Sequence, residues 1–170
     1  MPRPETLARP DRREWPNVVN VAVAFDHRGV HLRDRILQTL QQAGHMVIDL
    51  GTDTDAIRID YPDKAAELGA AITGGRAERG VLVCGSGVGA SVAACKIAGI
   101  RAAICHDVYS AHQGVEHDDM NVLCLGSEVI GPSLASDLVT AFLAARFDGG
   151  ERYVARLKKV EEMERGMLNG

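Results

Sequence analysis

Residues 79–89 read RGVLVCGSGVG, and the fold turns on how this stretch is read. RGVLVCG (79–85) is a short apolar run, rich in valine, that ends abruptly at glycine, which is the pattern of a buried β-strand. Three glycines then occupy alternate positions, Gly85, Gly87 and Gly89, before a helix of small residues from Gly87 to Ile97. Backbone N–H groups in such a loop converge on an anion at a helix N-terminus. Cys84 stands at the strand end, where the helix dipole favours a thiolate. A blander reading also fits, in which a buried cysteine ends the strand and the glycines serve close packing. The spacing is not the dinucleotide fingerprint G-x-G-x-x-G, and it follows a third strand instead of a first. No Gly-Lys-Ser/Thr follows, so it is not a P-loop either.

Outward from this point the chain alternates strand and helix. VVNVAVAF (18–25), HMVIDLG (45–51), IRAAIC (100–105) and NVLCLG (121–126) are the other predicted strands. Helical spacing of Leu32, Ile36, Leu37 and Leu40 predicts a helix over 29–43 closed by Gly44. Further helices are predicted from Tyr61-Pro62 to Gly74-Gly75, over 107–117, from Pro132 to Arg146, and from about 150 to 165. Uniformly apolar strands alternating with helices predict an α/β fold: a doubly wound, five-stranded parallel sheet, order 2-1-3-4-5, with helices on both faces. A crevice then opens beyond the carboxyl ends of strands 1 and 3. The loop FDHRG (25–29) and the loop CGSGVG (84–89) both fall there. Residues 1–17 lack periodicity and carry four prolines, so they read as a flexible arm. Residues 18–170 read as one domain that includes a C-terminal helix.

Composition excludes several classes. The 170-residue chain is 46% hydrophobic, as an ordinary globular protein is, and its net charge of −4 argues against nucleic acid as a partner. No run reaches the roughly 18 apolar residues of a membrane helix, and the N-terminus lacks a secretory h-region. Cys84, Cys95, Cys105 and Cys124 form no C-x-x-C pair, so reduced thiols in a cytoplasmic protein are expected, with no metal site.

Other chemistry-bearing residues are ambiguous on their own. Asp26 and His27 could hold sugar hydroxyls or open a sugar ring, or Asp26 could simply cap the next helix. His106, His112 and His117 have poor metal spacing, yet one could be a general acid. Arg152 and Arg156 share a helix face four residues apart. So close to a helix start they oppose the dipole, which fits an anion clamp, although a solvated charged face is the alternative.

Taken together, AFDHRG (24–29), DLGT (49–52), DYPD (60–63), VCGSGVGASVAACK (83–96), GIRAAICHDVYSA (99–111), EHDDMNVLCLG (116–126) and GGERYVAR (149–156) resemble the ribose-5-phosphate isomerase B family, which also includes the galactose-6-phosphate isomerase subunits. The resemblance covers about residues 18–160. It implies a Rossmann-like domain, no cofactor, and a homodimer (or a pair of dimers) whose sites the partner subunit completes. It implies an aldose–ketose isomerase acting on a sugar phosphate, with ribose 5-phosphate the first expectation and a tetrose or hexose phosphate the alternative. A binder without activity is a third reading. Carried over by position, Cys84 resembles the base that moves a proton between C1 and C2. Some relatives use a glutamate where this chain has Ala90. Ser86 and the N–H groups of Gly85, Gly87, Val88 and Gly89 would hold the enediolate oxygen. His117 resembles the ring-opening acid, assisted by Asp26; His27, Arg152 and Arg156 resemble a phosphate clamp; Tyr61 would line the sugar pocket.

This chain departs from the family pattern at several positions. Asp118 stands where relatives usually carry asparagine, Glu128 where they usually carry arginine, Cys95 where the usual segment has asparagine, and Tyr153 where histidine is common. The first two put negative charge near the expected substrate tail, which keeps a tetrose or hexose phosphate open beside ribose 5-phosphate.

Overall fold

The computed structural model describes residues 18–166. The arm expected over 1–17 and the last four residues of the expected domain lie outside the described residues. Five strands are β1 (Asn20–Phe25), β2 (Met46–Asp49), β3 (Arg79–Cys84), β4 (Ala102–Ile104) and β5 (Val122–Gly126). The helices are α1 (Arg33–Gln42), α2 (Tyr61–Thr73), α3 (Val88–Ala94), α4 (Val108–Asp118), α5 (Pro132–Ala144) and α6 (Glu151–Glu164). The predicted helix over 29–43 opens instead as a 3₁₀ turn, Gly29–Leu32, before α1 begins.

All strand pairs are parallel. The sheet order is β2-β1-β3-β5-β4, which corrects the expected 2-1-3-4-5 at one edge. The physical reason lies in length and burial. β5 is five residues long and wholly buried, and it pairs with β3 from Gly80↔Val122 to Cys84↔Gly126. β4 has three residues, each half-buried, and can serve only as an edge. β2, at the other edge, is likewise partly exposed, so the strands are not uniformly buried as expected.

Side-chain alternation along the central strands divides the core. Val21, Val23, Phe25, Val81, Val83, Leu123 and Leu125 face one side and pack on Ile36 and Leu40 of α1, Val115 of α4, and Leu138 and Phe142 of α5. Ala22, Ala24, Leu82, Cys84, Val122 and Cys124 face the other, against Leu68 of α2 and Ala90 of α3. Full burial of Phe25 and Phe142 contributes about 1.5–3 kcal/mol each. At the amino end of β3 the buried Arg79 guanidinium donates to the Phe142 and Ala145 carbonyls, closing the C-terminus of α5. Burial, with Arg146 nearby, lowers Arg79 to about 10, so it stays charged at neutral pH.

The swap of β4 and β5 leaves the switch point where the sequence put it. β1 connects outward to β2, and β3 connects the other way to β4. The segments leaving β1 and β3 therefore part company above their carboxyl ends, opening a crevice there.

Candidate active site

A cleft of about 360 Å³ occupies that crevice. Its walls include Asp26, His27, Tyr61, Cys84, Gly85, Ser86, Gly89 and Glu128, all singled out in the sequence, together with Arg28 and Arg58. Both predicted loops thus meet in one place.

Cys84 ends β3 nearly buried, and its Sγ accepts the Gly87 N–H at 3.1 Å. Gly87 makes this possible with φ +80°, a left-handed conformation that a side chain would strain. The Val88 N–H turns to Ser86 Oγ at 3.3 Å. Tyr61, the first residue of α2, lays its ring against Gly89, where any Cβ would overlap it at 2.6 Å. The other thiols differ. Burial pushes Cys124 strongly up and Cys105 up to about 11, so both stay protonated at neutral pH. Cys95 is exposed, and its thiol donates to the Ala102 carbonyl. All four cysteines are free.

Asp26 is 5% exposed, and its Oδ1 accepts the N–H groups of Arg28 and Gly29 at 2.9 and 2.8 Å. The bland capping reading therefore holds for one oxygen, while the residue still lines the cleft. His27 Nδ1 lies 3.1 Å from the Ile59 carbonyl oxygen. The Ile59 N–H also lies 3.3 Å from Nδ1, so Nδ1 faces the Ile59 backbone in either tautomer and Nε2 is the ring nitrogen left for a ligand.

His117, Asp118, Arg152 and Arg156 do not line this cleft. They sit on α4 and α6. The His117 ring stacks on Tyr153 with centroids 4.4 Å apart, and Nε2 lies 3.0 Å from the Tyr153 hydroxyl. Nδ1 is 2.8 Å from Gln113 Nε2. The Arg152 guanidinium lies 4.4 Å from the centre of the Tyr153 ring and donates to its hydroxyl, which raises the guanidinium pKa above its ordinary value. Asp118 and Arg156 are exposed. Tyr153, which stands where histidine is common, is the buried post that orients both His117 and Arg152. Its position between Arg152 and a helix core was the only available signal. Arg58, in a polar loop, offered none.

Among the described residues, no group of three or more His, Cys, Asp or Glu could hold a metal ion, and no helix is long and apolar enough to cross a membrane. A second hollow of about 300 Å³, between α1 and α5, contains none of the predicted site residues.

A doubly wound sheet with a thiol, a hydroxyl, an imidazole and a carboxylate at its switch point defines an α/β enzyme acting on a small polar ligand. The sequence profile of the family described as Ribose/Galactose Isomerase matches residues 21–160. Ribose-5-phosphate isomerase B of Escherichia coli (strain K12) is 42% identical over 144 residues, covering 85% of this chain and 95% of its own. D-erythrulose-4-phosphate isomerase of Pectobacterium atrosepticum is 41% identical over 133 residues, 78% of this chain and 88% of its own. The solved structure of ribose-5-phosphate isomerase B from Clostridium thermocellum superposes with a TM-score of 0.83 at 40% identity, covering 86% of this chain and 98% of that one. The chain belongs to the ribose/galactose isomerase family, whose members are aldose–ketose isomerases of sugar phosphates.

Proposed function

We propose that the chain interconverts ribose 5-phosphate and ribulose 5-phosphate through a cis-enediol(ate), with Cys84 as the base. The Cys84 thiolate removes the C2 proton of the open-chain aldose. The electron pair moves into the C1–C2 bond, and the carbonyl oxygen gains negative charge. Ser86 and the N–H groups of the Gly85–Gly89 loop stabilise that oxygen. A proton passes from the C2 hydroxyl to the C1 oxygen, the C2–O bond becomes the carbonyl, and the thiol returns its proton to C1. The observation that supports this reading is the Cys84 Sγ beside Ser86 in the cleft, held by the Gly87 N–H.

His117, assisted by Asp26, opens the sugar ring, and His27, Arg152 and Arg156 hold the phosphate. One chain keeps these residues in two groups, so the site is completed across a homodimer. His117, Asp118, Arg152 and Arg156 of the partner subunit then face Cys84. Exposed Val88, Val92 and Val129 support this, because the segments that carry them leave the carboxyl ends of β3 and β5, beside the cleft. Four free cysteines fit a reducing compartment, and we place the enzyme in the cytoplasm.

A tetrose phosphate is the second reading, favoured by the relative named D-erythrulose-4-phosphate isomerase. The test is turnover of four- to six-carbon sugar phosphates by the wild type and by Cys84→Ser. Ribose 5-phosphate should give the highest kcat/KM, and Cys84→Ser should lose turnover while unfolding at the same temperature. A higher value for a tetrose phosphate selects the second reading. Near-normal turnover by Cys84→Ser removes the thiol from the mechanism.

A further inference from the structure

The cleft holds an ion pair that the reaction as described does not use. Arg28 Nη1 lies 3.3 Å from Glu128 Oε2, and both side chains are more than half exposed. The two residues come from different loops, yet both backbones are tied to the site. The Arg28 N–H is held by Asp26, and its carbonyl accepts from Ser127 Oγ at 2.8 Å. The Glu128 N–H donates to the Gly85 carbonyl, and the Ser127 N–H to that of Cys84, both at 2.9 Å. The pair lies directly over Gly85. A Cβ there would meet Arg28 Cδ at 2.8 Å and the Glu128 carboxyl carbon at 3.5 Å. The residue after the thiol is thus glycine where the guanidinium crosses above it.

Charge decides what this pair does. Without Arg28, the cleft wall of this chain would present Asp26, Asp60 and Glu128 against Arg58 and His27. A dianionic phosphate would be repelled from such a wall. Arg28 cancels Glu128, and among the described residues its guanidinium makes one side-chain hydrogen bond, to Glu128, out of five N–H donors. It follows His27 in sequence, so it stands beside the residue assigned to the phosphate.

We propose that Arg28 binds the phosphate of the substrate and that Glu128 is its positioning residue. The cation of the pair comes from the loop after β1, and the carboxylate stands at 128. Glu128 then does not oppose the substrate as a bare charge would; it aims the guanidinium into the cleft. The inference rests on reading the cleft as a sugar-phosphate site and adds a member to its phosphate clamp.

The test is a double-mutant cycle of Arg28→Met and Glu128→Met. Inorganic phosphate binding is measured by thermal shift, and KM and kcat are measured on the best-used sugar phosphate. Arg28→Met should weaken phosphate binding and raise KM by about tenfold while kcat stays within about threefold, as loss of uniform binding does. Glu128→Met should raise KM in the wild-type background but lower it in the Arg28→Met background, where only the repulsion remains. Unchanged phosphate binding in Arg28→Met overturns the proposal, and a Glu128→Met effect of the same sign in both backgrounds removes the positioning role. If the wild type turns over no sugar phosphate, the reading of the reaction fails, yet the phosphate titration still decides the role of Arg28.

Discussion

Cys84 differs from its three sister thiols in surroundings, not in type. Cys124 and Cys105 are locked as thiols by burial, and Cys95 is bonded to a carbonyl, whereas the Cys84 sulfur receives a backbone N–H at the wall of a polar cleft. His117 is similarly set by its neighbours, between Gln113 and the Tyr153 ring. Its proposed role makes a discriminating prediction. A pentose 5-phosphate closes to a furanose, but a tetrose 4-phosphate has its O4 blocked and stays open. His117→Ala should therefore lose most of its turnover on ribose 5-phosphate, about 10²-fold or more, and retain it on erythrose 4-phosphate. Equal losses on both sugars would show that His117 acts on something other than the ring.

At the scale of elements, the swap of β4 and β5 has an energetic consequence. Leu125 lies on an interior strand and is fully buried, while Ile104 is half-buried on the edge strand. Leu125→Ala should cost about 2–5 kcal/mol, and Ile104→Ala clearly less. The difference is read as a shift in urea midpoint at constant slope. Comparable costs would mean that β4 is as deeply held as β5. The strands themselves were legible as apolar runs, because a buried strand needs them. Their order was not, since IRAAIC and NVLCLG look alike as strings. The difference lies in how many residues of each can pair: Ala102–Ile104 against Val122–Gly126.

At the scale of the whole molecule, the two separated groups make a prediction about assembly. If each site draws Cys84 from one chain and His117 from the other, two inactive variants should rescue one another. Mixing Cys84→Ser with His117→Ala chains, after dissociation and reassociation, should restore about a quarter of wild-type turnover, because half the dimers are hybrids with one intact site of two. No recovery in verified hybrids would mean that each chain carries its own complete site. The exposed apolar residues around the cleft are the surface this assembly would cover.

What the sequence determined alone was local and chemical. The glycine loop after Cys84, the Asp26-His27 pair after β1, and the alternation of strands and helices follow from residue types at fixed spacing, and they placed both loops at one switch point. The family followed from the same residues. Tertiary structure alone decided which side chains share a wall. It set Arg28 on Glu128 across 100 positions of chain, joined His117 to Tyr153 across 36, and kept both Arg152 and His117 out of the Cys84 cleft. Pairings of this kind depend on which loops and helices the sheet order brings together. A string of residues does not encode that order locally, because it is settled by competition among strands for burial.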